Sequence, residues 1–446
     1  MGRFIAKNIG LPLCDFLKRT KIRKYYKLYK KSLQWNRKEI QAYQFDKVKK
    51  LIRHSFESVP FYRKRFEEKN LTPDSIKKIE DLQKVGPLTR EDLQENLDDL
   101  IDENVNRDKL FKSSSSGTTG IPVTYYKDRN SYSADVAAGY LHWYIHGWEL
   151  GDRSLHVWGN PESIKNWNRI FSKGKRLLLN TGNFPSFLLN NEEAYLKVVN
   201  LINKYKILYI DGYTSPIYIL AKFIFDNKIK IHRPKKIFTT AENLYNYQRD
   251  VIENVLAPVI DCYGCGEING IAQECYKKNY HIIEPRVIVE EEDFLEGKKV
   301  ILLTDLENFS MPLIRYKVGD LFEGLTADGK CQCGINYKFF KKLEGRASEC
   351  VRLPNGKIIL PISLFGGTAF RKVRHIIRHQ TIWNGEYFIF IFEVSKSFSN
   401  EDRKKMGCIL KDILKKYKVG FKIEITKELI KTNNKFDYFK VNYDIT

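Results

Sequence analysis

The sequence predicts an α/β protein of more than one domain, and three observations carry that prediction. Short apolar runs alternate with helical stretches between residues 195 and 264. After residue 346 the texture changes to a strong strand, a helix and a further strand. The chain has 446 residues, more than one ordinary core holds, and at roughly 100 to 200 residues per domain it should form two to four units. Its composition, 43% hydrophobic and 29% charged, is that of a folded chain rather than a disordered one.

The formal charge of +22 is concentrated at the start. Residues 1–50 hold fifteen Lys or Arg against three Asp or Glu. The stretch KIRKYYKLYKKSLQWNRK reads either as a solvated helical face or as a basic, aromatic-bearing surface for anionic lipid or nucleic acid. No helix-turn-helix, RNP or finger pattern accompanies it, which disfavours nucleic acid. Residues 1–40 are therefore taken as a basic helical segment. The first apolar stretch, FIAKNIGLPLCDFL, is broken by Lys7 and Asp15, and no stretch approaches the roughly 20 apolar residues of a membrane span. A cleavage site of signal-peptide type is also missing, so the expected address is cytoplasmic, with peripheral contact to the inner membrane face through the basic segment.

From Gln41 to about Glu68, Phe45, Val48, Ile52 and Phe56 recur at three- and four-residue steps, which predicts an amphipathic helix ending near SVPFYR. A polar helical segment rich in Asp and Glu should follow to about Val105. At 113–120 four serines, two threonines and two glycines fall in eight residues. This loop lacks the Gly-Lys-Ser/Thr ending of a Walker loop, and the strand-like IPVTYY follows it instead of a helix. Glycine still lets such a loop aim hydroxyls and successive N–H groups at phosphate oxygens. A flexible serine-rich linker is the plain alternative.

Between 195 and 264 the helical stretches YLKVVNLINKYK, PIYILAKFIFD and NYQRDVIENVLA alternate with the runs ILYID, KIFTT and VIDCYG. That is the pattern of parallel strands joined by right-handed crossovers. Ligands bind beyond the carboxyl ends of such strands, which selects the loops TTAEN (239–243) and YGCGE (263–267). Beyond LEGRASE (343–349), YFIFIFEV (387–394), a helix starting after Asn400 and FKIEI (421–425) predict a small α+β unit of about 100 residues.

Taken together, these motifs resemble those of the adenylate-forming superfamily. SSSSGTTGIP is similar to its phosphate loop, and TAEN (240–243), YGCGE, IRYKVGD (314–320), GRASE (345–349) and a late lysine in TNNKFDY (432–438) follow in the family's order. VPFYRKRFEEKNLTPDSIKKIEDLQKVGPLTREDLQEN and LYIDGYTSPIYILA resemble the phenylacetate–CoA ligase and CapK-like capsular polysaccharide branch, and the likeness runs from about residue 40 nearly to the end.

The resemblance implies a large nucleotide- and acid-binding domain at 41–346 with mostly parallel sheets, and a small mobile domain at 347–446 carrying the late lysine. It implies ATP-dependent activation of a small carboxylic acid as acyl-AMP, then transfer to CoA or to a sugar or amine acceptor. An aryl-acid CoA ligase is one alternative, and a non-catalytic ATP- or nucleic-acid-binding protein is another.

In the implied site Ser115, Ser116, Gly117, Thr118, Thr119 and Gly120 hold the pyrophosphate part of ATP. Ala241 and Glu242 border the adenine, with Tyr263 and Gly264 against it, while Asp320 and Arg346 take the ribose. Glu267 holds Mg²⁺, which favours oxygen ligands. Lys435 stabilises the meeting of carboxylate and α-phosphate, where a mobile cation is worth most in the transition state. Glu349 is the hinge. Three positions depart from the pattern: Ile121 where many relatives carry Lys or Arg, Glu349 where Asp is common, and Asn434 where Gly usually precedes the lysine.

Five of the eight cysteines fall between 262 and 333, a spacing that suits metal better than disulfides. Cys275, His281, Cys331 and Cys333 form a good donor set for structural zinc and resemble a metal knuckle of this branch. A rival set substitutes Cys262 and Cys265, but Cys265 lies within YGCGE, committed to the nucleotide. His142, Trp143, His146, Trp148, His156 and Trp158 cluster in one stretch and read more readily as core than as an acid pocket.

Overall fold

The computed structural model describes residues 2–114, 123–159, 174, 177–189, 191–295, 297–326, 330–365, 370, 373, 375–395, 397–426, 429 and 439–441. The serine-rich loop at 115–122 and the late-lysine segment at 430–438 lie outside these residues. The chain divides into two compact units. One comprises Met1–Ser154, Lys165–Gly182 and Ile260–Leu343, and the other Leu155–Ile164, Asn183–Val259 and Glu344–Thr446.

The first unit opens with the helices Gly2–Ile5 and Leu11–Lys18, joined by a π turn at Ala6–Gly10, and continues with Ile22–Ser32. Asn36 then starts a long helix, Arg37–Ser58, through a capping box with Glu39. The helix ends within the SVPFYR stretch, as expected, and a second helix takes up the residues to Glu68. Pro60 has no N–H to continue the ladder, and it opens the second helix, Pro60–Glu68, at a position where none is needed. The polar stretch to Val105 is also broken, into 3₁₀ turns at Pro73–Ser75 and Ile79–Val85 and a short helix at Arg90–Glu95.

Antiparallel strand pairs complete this unit. Val287–Leu295, Lys298–Asp305 and Tyr316–Phe322 form a meander, and the end of Val259–Tyr263 pairs with Ala272–Glu274, which leads to Tyr280–Ile282 and Phe339–Phe340. Val48, Ile52, Tyr62 and Phe66 from the helices pack with Ile268, Ile301, Leu303, Tyr316 and Phe340 from the sheets in one core. That packing joins the strand carrying Tyr316 to the loop after Tyr263.

In the second unit the strands Tyr209–Tyr213 and Lys236–Thr240 run in parallel, as the alternation predicted. The helices Glu192–Tyr205, Thr214–Asp226 and Asn246–Val255 supply Val198, Ile217, Leu220 and Ile252 to their core. Residues after 344 form a second sheet, in which Ile376–Trp383 pairs antiparallel with Tyr387–Val394. Gly420–Thr426 and Phe439–Val441 join its two sides in parallel. The helix Asn400–Lys415, capped by Ser399 and Asp402, lays Met406, Leu410 and Leu414 against Trp383, Phe388 and Phe390. The whole is mixed α/β, the class expected, with antiparallel meanders beside the parallel strands.

Candidate active site

Within the first unit, the loop after Val259–Tyr263 and the strand Tyr316–Phe322 are joined by two reciprocal bonds. The hydroxyl of Tyr263 donates to Oδ2 of Asp320 at 2.8 Å, and that of Tyr316 donates to Oε1 of Glu267 at 3.2 Å. Each tyrosine thus serves an acid on the opposite segment, four residues from the acid on its own. Glu267 is buried, and this is the one hydrogen bond its carboxylate makes among the described residues. Burial, with Glu267 beside it, pushes the Tyr316 hydroxyl well above its ordinary value, so Tyr316 remains a donor. Tyr263 is also buried, its ring set edge-on to Phe340.

A buried ion network fixes the same loop from behind. Lys127 Nζ lies 2.5 Å from Asp135 Oδ2 and 3.0 Å from the carbonyl oxygen of Gly266. Asp135 Oδ1 accepts from the Asn269 N–H and from Arg286, which in turn forks onto Asp305. The arrangement satisfies charges that would be costly alone, since a buried ion needs a partner and further hydrogen bonds. Gly266 is required here for space: a Cβ would come within 2.9 Å of the Tyr125 hydroxyl. Gly264 lies in the same turn, which is closed by Cys265 N–H to Ile268 O and by Ile271 N–H to Tyr263 O. Sequence reasoning missed Lys127, Asp135, Tyr125 and Tyr316. None of the four left a local signal: Tyr316 lies four residues before Asp320, but the strand's register shifts between Lys317 and Leu321, so simple alternation does not relate their faces.

In the second unit, Ala241 follows the strand Lys236–Thr240 with φ +69°, a left-handed conformation uncommon for a residue with a Cβ. Glu242 turns its carboxylate onto the start of the helix Thr214–Asp226, accepting from the Ser215 N–H at 2.8 Å, where the helix dipole favours an anion. Its carbonyl accepts from the Thr214 hydroxyl. Arg346 ends a strand and its N–H reaches the carboxylate of Glu349 at 3.3 Å. Also here, the ring of His156, on the strand Ser154–Val157, pairs with Asp211 at 2.5 Å, and the ring of Trp158 lies tilted against that of Tyr213, centroids 4.5 Å apart. Ser115, Ser116, Gly117, Thr118, Thr119, Gly120, Ile121, Asn434 and Lys435 lie outside the described residues.

The stretch with clustered His and Trp is partly core. Trp148 is buried with its indole N–H on Ser154, and His142 is buried, while His146 reaches the carbonyl of Glu274.

The first unit also gathers Cys275, His281, Cys331 and Cys333, whose ligand atoms all lie within 4.8 Å of one another. Sγ of Cys333 is 3.2 Å from Nε2 of His281, and Sγ of Cys275 is 3.8 Å from that of Cys331. Nδ1 of His281 faces the carbonyl of Tyr337 at 3.2 Å, a contact that puts the proton on Nδ1 and leaves the Nε2 lone pair toward the thiols. Burial lowers His281 to about 4, so its imidazole is neutral near pH 7, the form that binds metal. N–H groups of Lys277 and Asn279 reach the sulfurs of Cys275 and Cys331, as they would thiolates. Three thiols and one imidazole at this spacing fit a tetrahedral zinc ion. Cys262 and Cys265 are not members of the cluster.

No family model matches the chain. It is 25% identical over 438 residues to Protein CapK of Staphylococcus aureus, covering 96% of this chain and 91% of the relative. It is 26% identical over 356 residues to a phenylacetate-coenzyme A ligase of Aromatoleum evansii, with 73% of each covered. Among solved structures, a 2-hydroxyisobutyryl-CoA ligase in the postadenylation state with R3-HIB-AMP matches with a TM-score of 0.72 at 19% identity, over 91% of this chain and 90% of that one. The fold is thus similar to that of an acid–CoA ligase. These likenesses support an assignment of the chain to the adenylate-forming superfamily.

Proposed function

We propose that this protein activates a small carboxylic acid with ATP and hands the acyl group to the thiol of CoA. The acid's oxygen attacks the α-phosphorus, pyrophosphate leaves, and an acyl adenylate forms. In the second step the thiolate attacks the acyl carbon and AMP departs. The observation that carries this reading is the reciprocal pair Tyr263–Asp320 and Tyr316–Glu267, which brings two carboxylates suited to ribose and to Mg²⁺ onto one small surface. It is supported by the order of motifs along the chain and by the likeness to acid–CoA ligases.

In this reading Ser115, Ser116, Gly117, Thr118, Thr119 and Gly120 bind the phosphates. Peptide groups at Ala241 and Glu242 border the base, because the Glu242 carboxylate is already used by a helix. Tyr263 and Gly264 line it, Asp320 and Arg346 hold the ribose, and Lys435 from the domain 347–446 neutralises the approach of carboxylate to phosphate. Glu267 would hold Mg²⁺, which supplies charge neutralisation at the phosphates. Glu349 is the proposed pivot between the two half-reactions. Cys275, His281, Cys331 and Cys333 hold a structural zinc.

The match to CapK along 96% of the chain favours a second reading of the acceptor, a sugar amine in surface polysaccharide assembly on the cytoplasmic side. Pyrophosphate exchange with a panel of carboxylic acids, followed by CoA or amino sugars as acceptors, tests both. Lys435→Ala is expected to suppress exchange while chemically supplied acyl-AMP still reacts, and equal loss of both steps would contradict its role. Glu267→Gln should raise the Mg²⁺ concentration that exchange requires; an unchanged requirement would remove that ligand.

A further inference from the structure

The helices that open the first unit present a surface that neither half-reaction uses. Among residues 2–20 the exposed side chains are Arg3, Phe4, Lys7, Asn8, Ile9, Leu13, Phe16, Leu17 and Arg19. Five of these nine are large and apolar, and Phe4 and Phe16 are 68% and 79% exposed. Ala6, Gly10, Leu11 and Cys14 face inward instead, so the exposed apolar residues are not a core turned loose.

Leu13, Phe16 and Leu17 are spaced i, i+3, i+4 on the helix Leu11–Lys18 and share one face, and Ile9 is one turn before Leu13. Phe4 lies five residues before Ile9, which in a regular α-helix would turn it away. The π turn Ala6–Gly10 closes over five residues and brings Phe4 back toward Ile9.

Charge surrounds this face. In residues 21–31 every exposed side chain is Lys or Arg: Lys21, Arg23, Lys24, Lys27 and Lys31. The one acid in residues 2–32, Asp15, is occupied by the Thr20 hydroxyl and by the N–H groups of Ile22 and Arg23. A face with many cations and no exposed acid repels a second copy of itself and suits an anionic partner. No helix among the described residues is long and apolar enough to cross a membrane.

We propose that this surface docks on an anionic lipid bilayer. Phe4, Ile9, Leu13, Phe16 and Leu17 enter the boundary of headgroups and acyl chains, while the flanking lysines and arginines meet the phosphates. Apolar insertion and electrostatic attraction together are what hold an amphipathic helix in the interface plane. The surface lies outside the proposed catalytic residues, so the inference stands whether or not the chain activates an acid.

The test is sedimentation of the full chain with vesicles of phosphatidylglycerol mixed into phosphatidylcholine, against pure phosphatidylcholine, in low and high salt. Binding is expected only to the mixed vesicles and should weaken as salt rises. A triple variant Phe4→Ser, Phe16→Ser, Leu17→Ser should lower the bound fraction at least about tenfold, and Lys24→Glu with Lys27→Glu by about tenfold or more. Both alter exposed side chains, and an unchanged thermal midpoint shows that each is folded. The proposal is overturned if the unaltered chain stays in the supernatant with mixed vesicles, if it binds pure phosphatidylcholine equally, or if the triple variant binds undiminished. It is also overturned if sedimentation velocity shows a dimer that the triple variant abolishes while vesicle binding is absent.

Discussion

Tyr263 gives its hydroxyl hydrogen to Asp320 across 2.8 Å, tying the loop that follows one strand to the middle of another. The bond fixes one oxygen of the carboxylate proposed to meet the ribose. Tyr263→Phe should weaken ATP binding by roughly tenfold, the scale of one hydrogen bond to a charged group. Asp320→Ala should cost more, since it leaves a buried hydroxyl without its acceptor as well as removing the ribose ligand. Titration calorimetry with ATP checks both; an Asp320→Ala variant that binds as tightly as the original would refute the assignment.

Lys127 supports the same loop through the carbonyl of Gly266. Burial alone would lower its pKa, but the Asp135 carboxylate outweighs burial and raises it. Its stabilising contribution is therefore full below the ordinary lysine value of about 10.4 and is lost as pH rises through the higher folded value. Lys127→Met leaves Asp135 with less compensation and should destabilise the protein by about 3–5 kcal/mol. Its unfolding midpoint should also lose the decline at alkaline pH expected of the unaltered chain.

His142 carries the opposite sign. Burial, assisted by the nearby His146, lowers it to about 3, so the folded protein holds it neutral. An unfolded chain takes up that proton below about pH 6.5, and stability falls as pH drops from there toward 3. The cost at pH 5 is on the order of 2 kcal/mol. Denaturant unfolding at pH 7.5 and pH 5 should show His142→Leu to be less acid-sensitive by about that amount. Equal sensitivity would mean that the ring is protonated in the fold.

The Cys275, His281, Cys331 and Cys333 cluster predicts one zinc per chain in protein purified without chelator. Cys331→Ser should remove most of it and lower the thermal midpoint, because metal held only by the folded state adds its binding free energy to stability. Metal analysis finding no zinc in the unaltered protein would leave the four side chains as packed thiols and a buried imidazole.

The parallel pair Tyr209–Tyr213 and Lys236–Thr240 could be read from sequence because apolar runs and helical periods alternated at full length. The strands Ala272–Glu274 and Tyr280–Ile282 have three residues each, too short for any period to appear. The boundary at Pro60 was visible as a proline within SVPFYR, whereas the second helix that the proline opens, Pro60–Glu68, was not singled out. In the candidate site, Glu267 and Asp320 were legible as acids within motifs. Tyr263 was legible too, as a motif residue, but its bond to Asp320 and the pairing of Tyr316 with Glu267 were not, because a hydrogen bond between residues some fifty positions apart leaves no local pattern. Lys127 was hidden differently: in a chain with 76 lysines and arginines, nothing local marks a lysine whose ammonium is buried.

The reciprocal bonds between Tyr263, Asp320, Tyr316 and Glu267 have a consequence for how this protein can change. Groups suited to grip a cosubstrate also serve as the fasteners of the wall that displays them, so neither acid can drift alone without slackening the other's mounting. Attempts to redirect the enzyme toward another nucleotide would therefore do best by exchanging tyrosine and acid as matched couples.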